Sequence, residues 1–275
     1  MPSTPDWLGL YLQEDLGPGD LTAAALPAGE QGSARIVARE RLLVAGAAHA
    51  AEVFRRLGAT ATPCATEGAW ASPGAPLLEV RGPAQALLAG ERLALNLLAR
   101  MAGIASLTRE LADALAKAGA RAQVAATRKT TPGFRAFEKE AVRVGGGDPH
   151  RMGLWDAAMV KDNHIAACAG DVDAAVRRVV AAARGRTVTC EVESHEDARA
   201  AAAAGADWLL IDNQAGAVGE AWARAVRAEF PHIKVEASGG IRPDNLLEYG
   251  WADRVSLGWL TQKAPAKDLS MEWDA

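Results

Sequence analysis

From residue 120 onward, short apolar runs alternate with amphipathic stretches, and this alternation constrains the fold more than any other feature of the chain. Runs at 123–126, 157–160, 188–192, 208–211, 233–237 and 254–257 read as short buried strands. Helical spacing fits 134–144, 172–183, 196–204, 219–229 and 244–249, with Ser194 and Asp197 placed as a capping box. Repeated strand–helix units specify a parallel sheet with right-handed crossovers. The residues beside the strand ends are polar or small: Thr127-Arg128-Lys129, Lys161, Glu193, Asp212, Ser238-Gly239-Gly240 and Gly258. A (β/α) barrel builds its site from the C-terminal ends of many strands. An open doubly wound sheet uses mainly one switch point. Contributions from six consecutive strands favour an α/β barrel that is open and incomplete, with six or seven strands.

The first part of the chain follows another plan. A short helix fits 6–15, a turn-rich connection follows from Glu14 to Asp20, and strands fit 34–38 and 76–80. Helices fit 47–57, 84–98 and 107–117, the last ending at Gly119. The expected organisation is an N-terminal α/β domain over 1–110 and a barrel domain over 111–275, whose last residues are free to pack back on the N-terminal domain.

Composition excludes several classes of function. The net charge of -4 provides no global basic field for nucleic acid, so any anion site must come from local clustering. Cys64, Cys168 and Cys190 are widely spaced and form no C-x-x-C, which argues against a disulfide framework or zinc site and fits a cytoplasmic location. Residues 1–15 carry Asp6, Glu14 and Asp15 and no basic n-region, so no signal peptide is expected. No apolar run is long enough to span a membrane.

Between Thr127 and Arg151, six cations (Arg128, Lys129, Arg135, Lys139, Arg143, Arg151) face three carboxylates (Glu138, Glu140, Asp148), with His150 beside them. Such a cluster is either a solvated helix face or a polyanion site. The position of Arg128, Lys129, His150, Arg151 and Lys161 in loops at one end of the sheet favours the site. Gly145-Gly146-Gly147 reads as either a connector or an anion-binding turn. Ser238-Gly239-Gly240 is the better phosphate-loop candidate, with a following helix N-terminus to add its dipole. Glu191 and Glu193 alternate on one strand and so face the same side. With Asp212, they form either an internal salt-bridge network to Lys161 and Lys129 or a site for Mg²⁺ and ribose hydroxyls. Lys161 also has the position of a Schiff-base lysine. His49, His195 and His232 show no metal-ligand spacing, and Trp155 reads as a core or interface residue.

Two of these segments, Thr127-Arg128-Lys129-Thr130-Thr131-Pro132-Gly133 and His150-Arg151-Met152-Gly153-Leu154 with Lys161-Asp162-Asn163-His164, resemble signatures of the quinolinate phosphoribosyltransferases. Glu14-Asp15-Leu16-Gly17, Glu91-Arg92 with Leu95-Asn96-Leu97-Leu98, Glu191-Val192-Glu193, Asp212-Asn213 and Ser238-Gly239-Gly240 extend the resemblance over nearly the whole chain. It implies an N-terminal α/β sandwich, an open seven-stranded barrel and a homodimer with shared sites, open to further assembly into a hexamer. It implies that Arg128, Lys129, His150, Arg151, Lys161 and the partner subunit's Arg92 receive the carboxylates of quinolinate and the phosphates of phosphoribosyl pyrophosphate (PRPP). It also implies that Thr127 lines this pocket, that Glu193 and Asp212 serve Mg²⁺ bound with PRPP, and that Lys129 and Lys161 assist the reaction. Ser238, Gly239, Gly240, Leu257, Gly258 and Trp259 would surround the 5′-phosphate.

Three positions depart from the family pattern: Asp148-Pro149 precedes His150 where Asn is usual, Glu140 replaces a tyrosine, and Gln262 replaces a histidine. Two other readings compete, a phosphoribosyltransferase with another acceptor, such as the paralogue found near molybdenum transport genes, and a catalytically inactive binding protein on the same fold. The pairing of Arg128 with His150-Arg151 argues against the first, and joint retention of Lys129, Lys161, Glu193 and Asp212 against the second.

Overall fold

The computed structural model describes residues 5–274 apart from 26 and 28. Residues 1–4, at the head of the stretch examined for a signal peptide, lie outside the described residues. In chain order the elements are α1 (Trp7–Leu16), β1 (Gln31–Ala38), β2 (Leu42–Leu43), α2 (Ala47–Arg56), β3 (Thr60–Pro63), β4 (Trp70–Ala71), β5 (Pro76–Pro83) and α3 (Ala84–Lys117). They continue with β6 (Gln123–Ala125), α4 (Arg135–Val144), β7 (Ala158–Val160), α5 (Asp162–Ala166), α6 (Val172–Ala183), β8 (Val188–Val192) and α7 (His195–Ala203). Last come β9 (Trp208–Asp212), α8 (Gly216–Glu229), β10 (Lys234–Ser238), β11 (Arg254–Ser256), α9 (Trp259–Gln262) and β12 (Leu269–Trp273).

The chain divides into two compact units. One comprises Met1–Leu107, Pro132–Gly145 and Ala264–Ala275, and the other Thr108–Thr131 and Gly146–Lys263. The C-terminal segment groups with the first unit, as the expected organisation allowed, and so does α4, which a cut near residue 110 assigns to the second.

In the first unit, an antiparallel sheet has the order β12-β1-β5-β3. Residues Ala34 and Ile36 of β1 are buried, and a register shift between Ile36 and Val37 lets Val37 and Ala38 be buried as well. Helix α2 buries Ala50, Ala51, Val53 and Phe54. Its N-terminal amides are met by the Glu67 carboxylate, which accepts from Gly46 N at 3.0 Å and Ala47 N at 2.7 Å. Helix α3 is one helix of 34 residues, not the two separate helices expected at 84–98 and 107–117. Its apolar face continues without a break through Met101, Ile104 and Ala105, all buried. A Cβ at Gly103 would run into the carbonyl oxygen of Pro265, so this glycine marks a close backbone approach and not a helix end.

In the second unit, six parallel strands have the order β6-β11-β10-β9-β8-β7. Among the described residues no ladder joins β6 to β7, so the sheet is open. Six strands form the described sheet where the resemblance implies seven, and beside β6 there is in addition one parallel bridge, Ala125 to Asp148. One face carries Val160, Cys190, Val192, Leu209, Ile211 and Val235, packed with the helix residues Val176, Ala198, Ala201, Ala223 and Val226. This apolar layer leaves the alternate strand positions to point the other way. Two short helices not foreseen from the sequence, α5 and α9, begin beside strand ends. The helix expected at 244–249 is instead a 3₁₀ turn, Leu246–Tyr249. Among the described residues, no helix is long and apolar enough to cross a membrane.

Candidate active site

The strand positions that point away from the apolar layer build one pocket. A cavity of about 230 Å³ is lined by Thr127, Arg128 and Lys129 after β6, His150 and Arg151 after the bridge, Met159 and Lys161 of the β7 end, and Glu191 of β8. Leu210 and Asp212 of β9, Glu236 and Ser238 of β10, and Ser256 of β11 complete it. The pairs 210/212 and 236/238 show the two-residue period that puts alternate side chains on one face. Four cations, Arg128, Lys129, Arg151 and Lys161, meet three carboxylates there. Arg151 donates to Ala157 O at 3.2 Å and to Met159 Sδ at 3.4 Å. Burial lowers its pKa, the nearby Arg128 charge adds to that, and Glu236 opposes it. Lys161 is ion-paired with Glu191. A paired ammonium is the opposite of what a Schiff-base amine requires.

Glu236 was missed in the sequence, where it sits inside the apolar run Val235-Glu236-Ala237. A carboxylate within a buried strand was itself the signal, because such a charge is costly unless paired. Parallel register places Glu236 beside Arg254 on β11. Arg254 Nε donates to Glu236 Oε2 at 2.8 Å, and the guanidinium stacks 3.9 Å from the centre of the Trp208 ring. Ser256 Oγ donates to Oε1, and His150 Nε2 lies 3.2 Å from both carboxylate oxygens. Burial alone would raise the Glu236 pKa. The His150 hydrogen bond, the Arg254 charge and the Ser256 hydroxyl outweigh it and bring it down to about 2, from an ordinary 4.5. A carboxyl depressed on folding contributes stability that is present above 4.5 and is lost as pH falls from there toward 2. The melting temperature is therefore expected to fall steeply over that window, and Glu236→Gln is expected to flatten the slope. An unchanged slope in the variant would exclude Glu236 as its source.

The other expected site residues are distributed unevenly. Glu193 lies one residue beyond β8, is exposed, and lines a neighbouring hollow with Asp162, Glu191 and Asp197. Its alternation with Glu191 ends where the strand ends. Among the described residues, no cluster of three or more His, Cys, Asp or Glu could hold a metal. Gly239 and Gly240 follow Ser238 with φ of +87° and +63°. A Cβ at Gly239 would fall 2.6 Å from Asn213 N, so the turn requires glycine. The expected α-helix after this loop is absent. The 3₁₀ turn starts only at Leu246, leaving backbone N–H groups and no helix dipole for an anion. Leu257 N donates to Ala125 O at 3.0 Å, and Gly258 and Trp259 open α9. Thr261 Oγ1 donates to Lys129 O at 2.6 Å. A Cβ at Gly258 would lie 3.1 Å from Gln262 Oε1 and 3.2 Å from Lys129 Cδ, which puts the Gln262 departure close to a pocket lysine.

The basic segment separates. Arg135, Lys139 and Arg143 belong to α4 in the first unit, where Lys139 and Glu138 are buried and Arg100 pairs with Glu138 at 2.7 Å. Glu140, another departure, pairs with His49 at 2.9 Å. Gly145-Gly146-Gly147 leads into the bridge at Asp148 and does not line the pocket. Arg92 is exposed on α3 in the first unit. Trp155 is 58% exposed and so is not a core residue. Burial, reinforced by Asp197 and Glu191, pushes the Cys190 thiol up to about 12, which rules it out as a thiolate nucleophile.

An open parallel α/β sheet with cations, carboxylates and a diglycine turn gathered at its strand ends defines an enzyme that handles polyanionic small molecules. Residues 20–102 match the quinolinate phosphoribosyl transferase N-terminal domain and residues 104–272 its C-terminal domain. The chain belongs to that family. The nicotinate-nucleotide pyrophosphorylase [carboxylating] of Homo sapiens is 43% identical over 95% of this chain and 89% of the human protein. The probable enzyme of the same name from Bacillus subtilis is 39% identical over 96% of this chain and 91% of its own length. The solved structure of nicotinate-nucleotide pyrophosphorylase from Francisella tularensis has a TM-score of 0.90 at 30% identity and covers 99% of this chain and 98% of that one.

Proposed function

We propose that the chain transfers the phosphoribosyl group of PRPP to quinolinate and releases nicotinate mononucleotide, CO2 and pyrophosphate, the step that enters de novo NAD biosynthesis. The observation that carries this reading is the convergence of Arg128, Lys129, Arg151 and Lys161 in one pocket with Asp212 and Ser238, in a chain of this family. Paired guanidinium donors suit planar carboxylates. The ammonium groups oppose the charge that develops as pyrophosphate leaves C1 of the ribose. The pyridine nitrogen supplies the electron pair for the new bond to C1. The resulting pyridinium then accepts the electron pair of the bond to the 2-carboxylate as CO2 departs, and a proton takes its place. No protein nucleophile is required.

Asp212, at the end of β9 and in the pocket, would hold Mg²⁺ carried by PRPP, whereas Glu193, in the neighbouring hollow, is not placed to share it. When bound, Mg²⁺ would neutralise charge on the leaving pyrophosphate. A homodimer in which the partner subunit's Arg92 completes each pocket fits the exposed position of Arg92 on α3. The free thiols, one of them exposed, fit a cytoplasmic location.

Turnover with PRPP, Mg²⁺ and candidate acids tests the reading. Quinolinate is expected to exceed nicotinate in kcat/KM by roughly tenfold to a hundredfold. A pocket built for two carboxylates leaves a charged donor unpaired with one, at about 1.5–3 kcal/mol. Equal kcat/KM for the two acids would contradict it.

A further inference from the structure

We propose that His150 is a neutral positioning residue, protonated on Nε2 only, which aims Arg151 into the pocket and is not itself a cationic ligand for the acid substrate. The argument rests on which atoms its ring nitrogens meet. His150 Nδ1 lies 2.6 Å from Arg151 N and accepts that amide's hydrogen bond. A nitrogen that accepts carries no proton, so the ring's single proton is on Nε2. That side faces Glu236, with both carboxylate oxygens at 3.2 Å. Arg254 Nη2 also approaches Nε2, at 3.1 Å, but the proton on Nε2 leaves no lone pair there to accept it. Both groups are drawn to the same carboxylate, which Arg254 reaches at 2.6 Å. An imidazolium would set an Nδ1–H against the Arg151 N–H at 2.6 Å, donor against donor.

The backbone is set for the same purpose. His150 has φ of +56°, in the left-handed region that a side chain other than glycine seldom adopts. Asp148 Oδ1 accepts from His150 N at 2.7 Å and holds that turn, while Asp148 Oδ2 lies 3.4 Å from Arg254 Nη1. Both ring nitrogens are thus engaged by the protein, and the side chain is only 8% exposed. Arg151, one residue on, lines the pocket with its guanidinium held by Ala157 O and Met159 Sδ. Glu236, with Arg254 and Ser256 behind it, fixes the tautomer as carboxylates fix catalytic and metal-bound imidazoles elsewhere.

This role rests on the reading of the pocket as an acid-substrate site, but its main test needs no substrate. Long-range proton–nitrogen correlation on the full chain with ¹⁵N-labelled histidine reads the protonation of each ring near neutral pH. The His150 signals are assigned by their loss in His150→Gln. The expected pattern is one protonated nitrogen, Nε2, and one unprotonated nitrogen, Nδ1. Two protonated nitrogens, or a proton on Nδ1, would overturn the proposal whatever the substrate proves to be. Kinetics provide a second readout. A glutamine can accept from Arg151 N and donate to Glu236 but carries no charge, so His150→Gln is expected to recover about tenfold of the kcat/KM for quinolinate lost in His150→Ala. Equal losses in the two variants would also overturn it. If the alanine variant fails to fold, the nitrogen spectrum of the native chain still decides.

Discussion

Lys161→Ala is expected to lower kcat at saturating quinolinate and PRPP by about 10²–10³-fold, the range seen when one preorganised charge or donor is removed from a transition state. In the structure without substrates, the Lys161 ammonium is paired with Glu191 at the end of β7. Its side chain is 42% exposed, so the pair is screened by solvent and adds little to stability. The melting temperature should therefore change little while turnover collapses. A double variant, Lys161→Ala with Glu191→Ala, separates the two effects. Removing the carboxylate left behind should recover any small loss of stability and none of the activity. Kinetics within about threefold of the native chain for Lys161→Ala would remove Lys161 from the reaction.

Mixing two inactive variants is expected to restore roughly a quarter of native activity if sites are shared between subunits. The variants are Arg92→Ala and Lys161→Ala, co-expressed so that subunits pair at random. Half of the dimers are then mixed, and each mixed dimer has one complete site out of two. Arg92 belongs to the first unit, whereas every residue lining the cationic pocket belongs to the second. If Arg92 served the pocket of its own chain, no site in a mixed dimer would be complete. Activity that remains at the level of the single variants, with mixed dimers confirmed, would exclude the shared arrangement and leave the proposed chemistry untouched.

The parts of the fold legible in the sequence were those set by local periodicity. Helix Val172–Ala183 and strand Val188–Val192 were expected with these limits, because their apolar spacing and end signals lie within a few residues of each other. Ser194 was expected as a cap, and its side chain accepts from Asp197 N at 3.0 Å. The strand C-termini delivered Arg128, Lys129, Lys161, Asp212 and Ser238 to one pocket, as the alternation of strands and helices required. Less was legible where a residue's role depended on a distant segment. Strand β12 had no local signature, because it exists by pairing with β1, more than two hundred residues earlier. The stretch between the expected helices 84–98 and 107–117 is helical too, and only the carbonyl of Pro265 explains why Gly103 within it is a glycine.

The sequence by itself determined the sheet class, the end of the sheet where chemistry gathers and most of the cations found there, because strand period and strand direction are local properties that fix which side chains can meet. Tertiary structure alone decided the pairing among them. Glu236, Arg254 and Ser256 come together because neighbouring parallel strands place alternate residues side by side. The same register brings Glu236 against His150, 86 positions away in the chain. Glu193 lies outside the pocket because β8 ends one residue too soon to carry it there. The protonation and orientation of a buried group follow from the partners that surround it once water is excluded, and those partners are set by packing across the sheet.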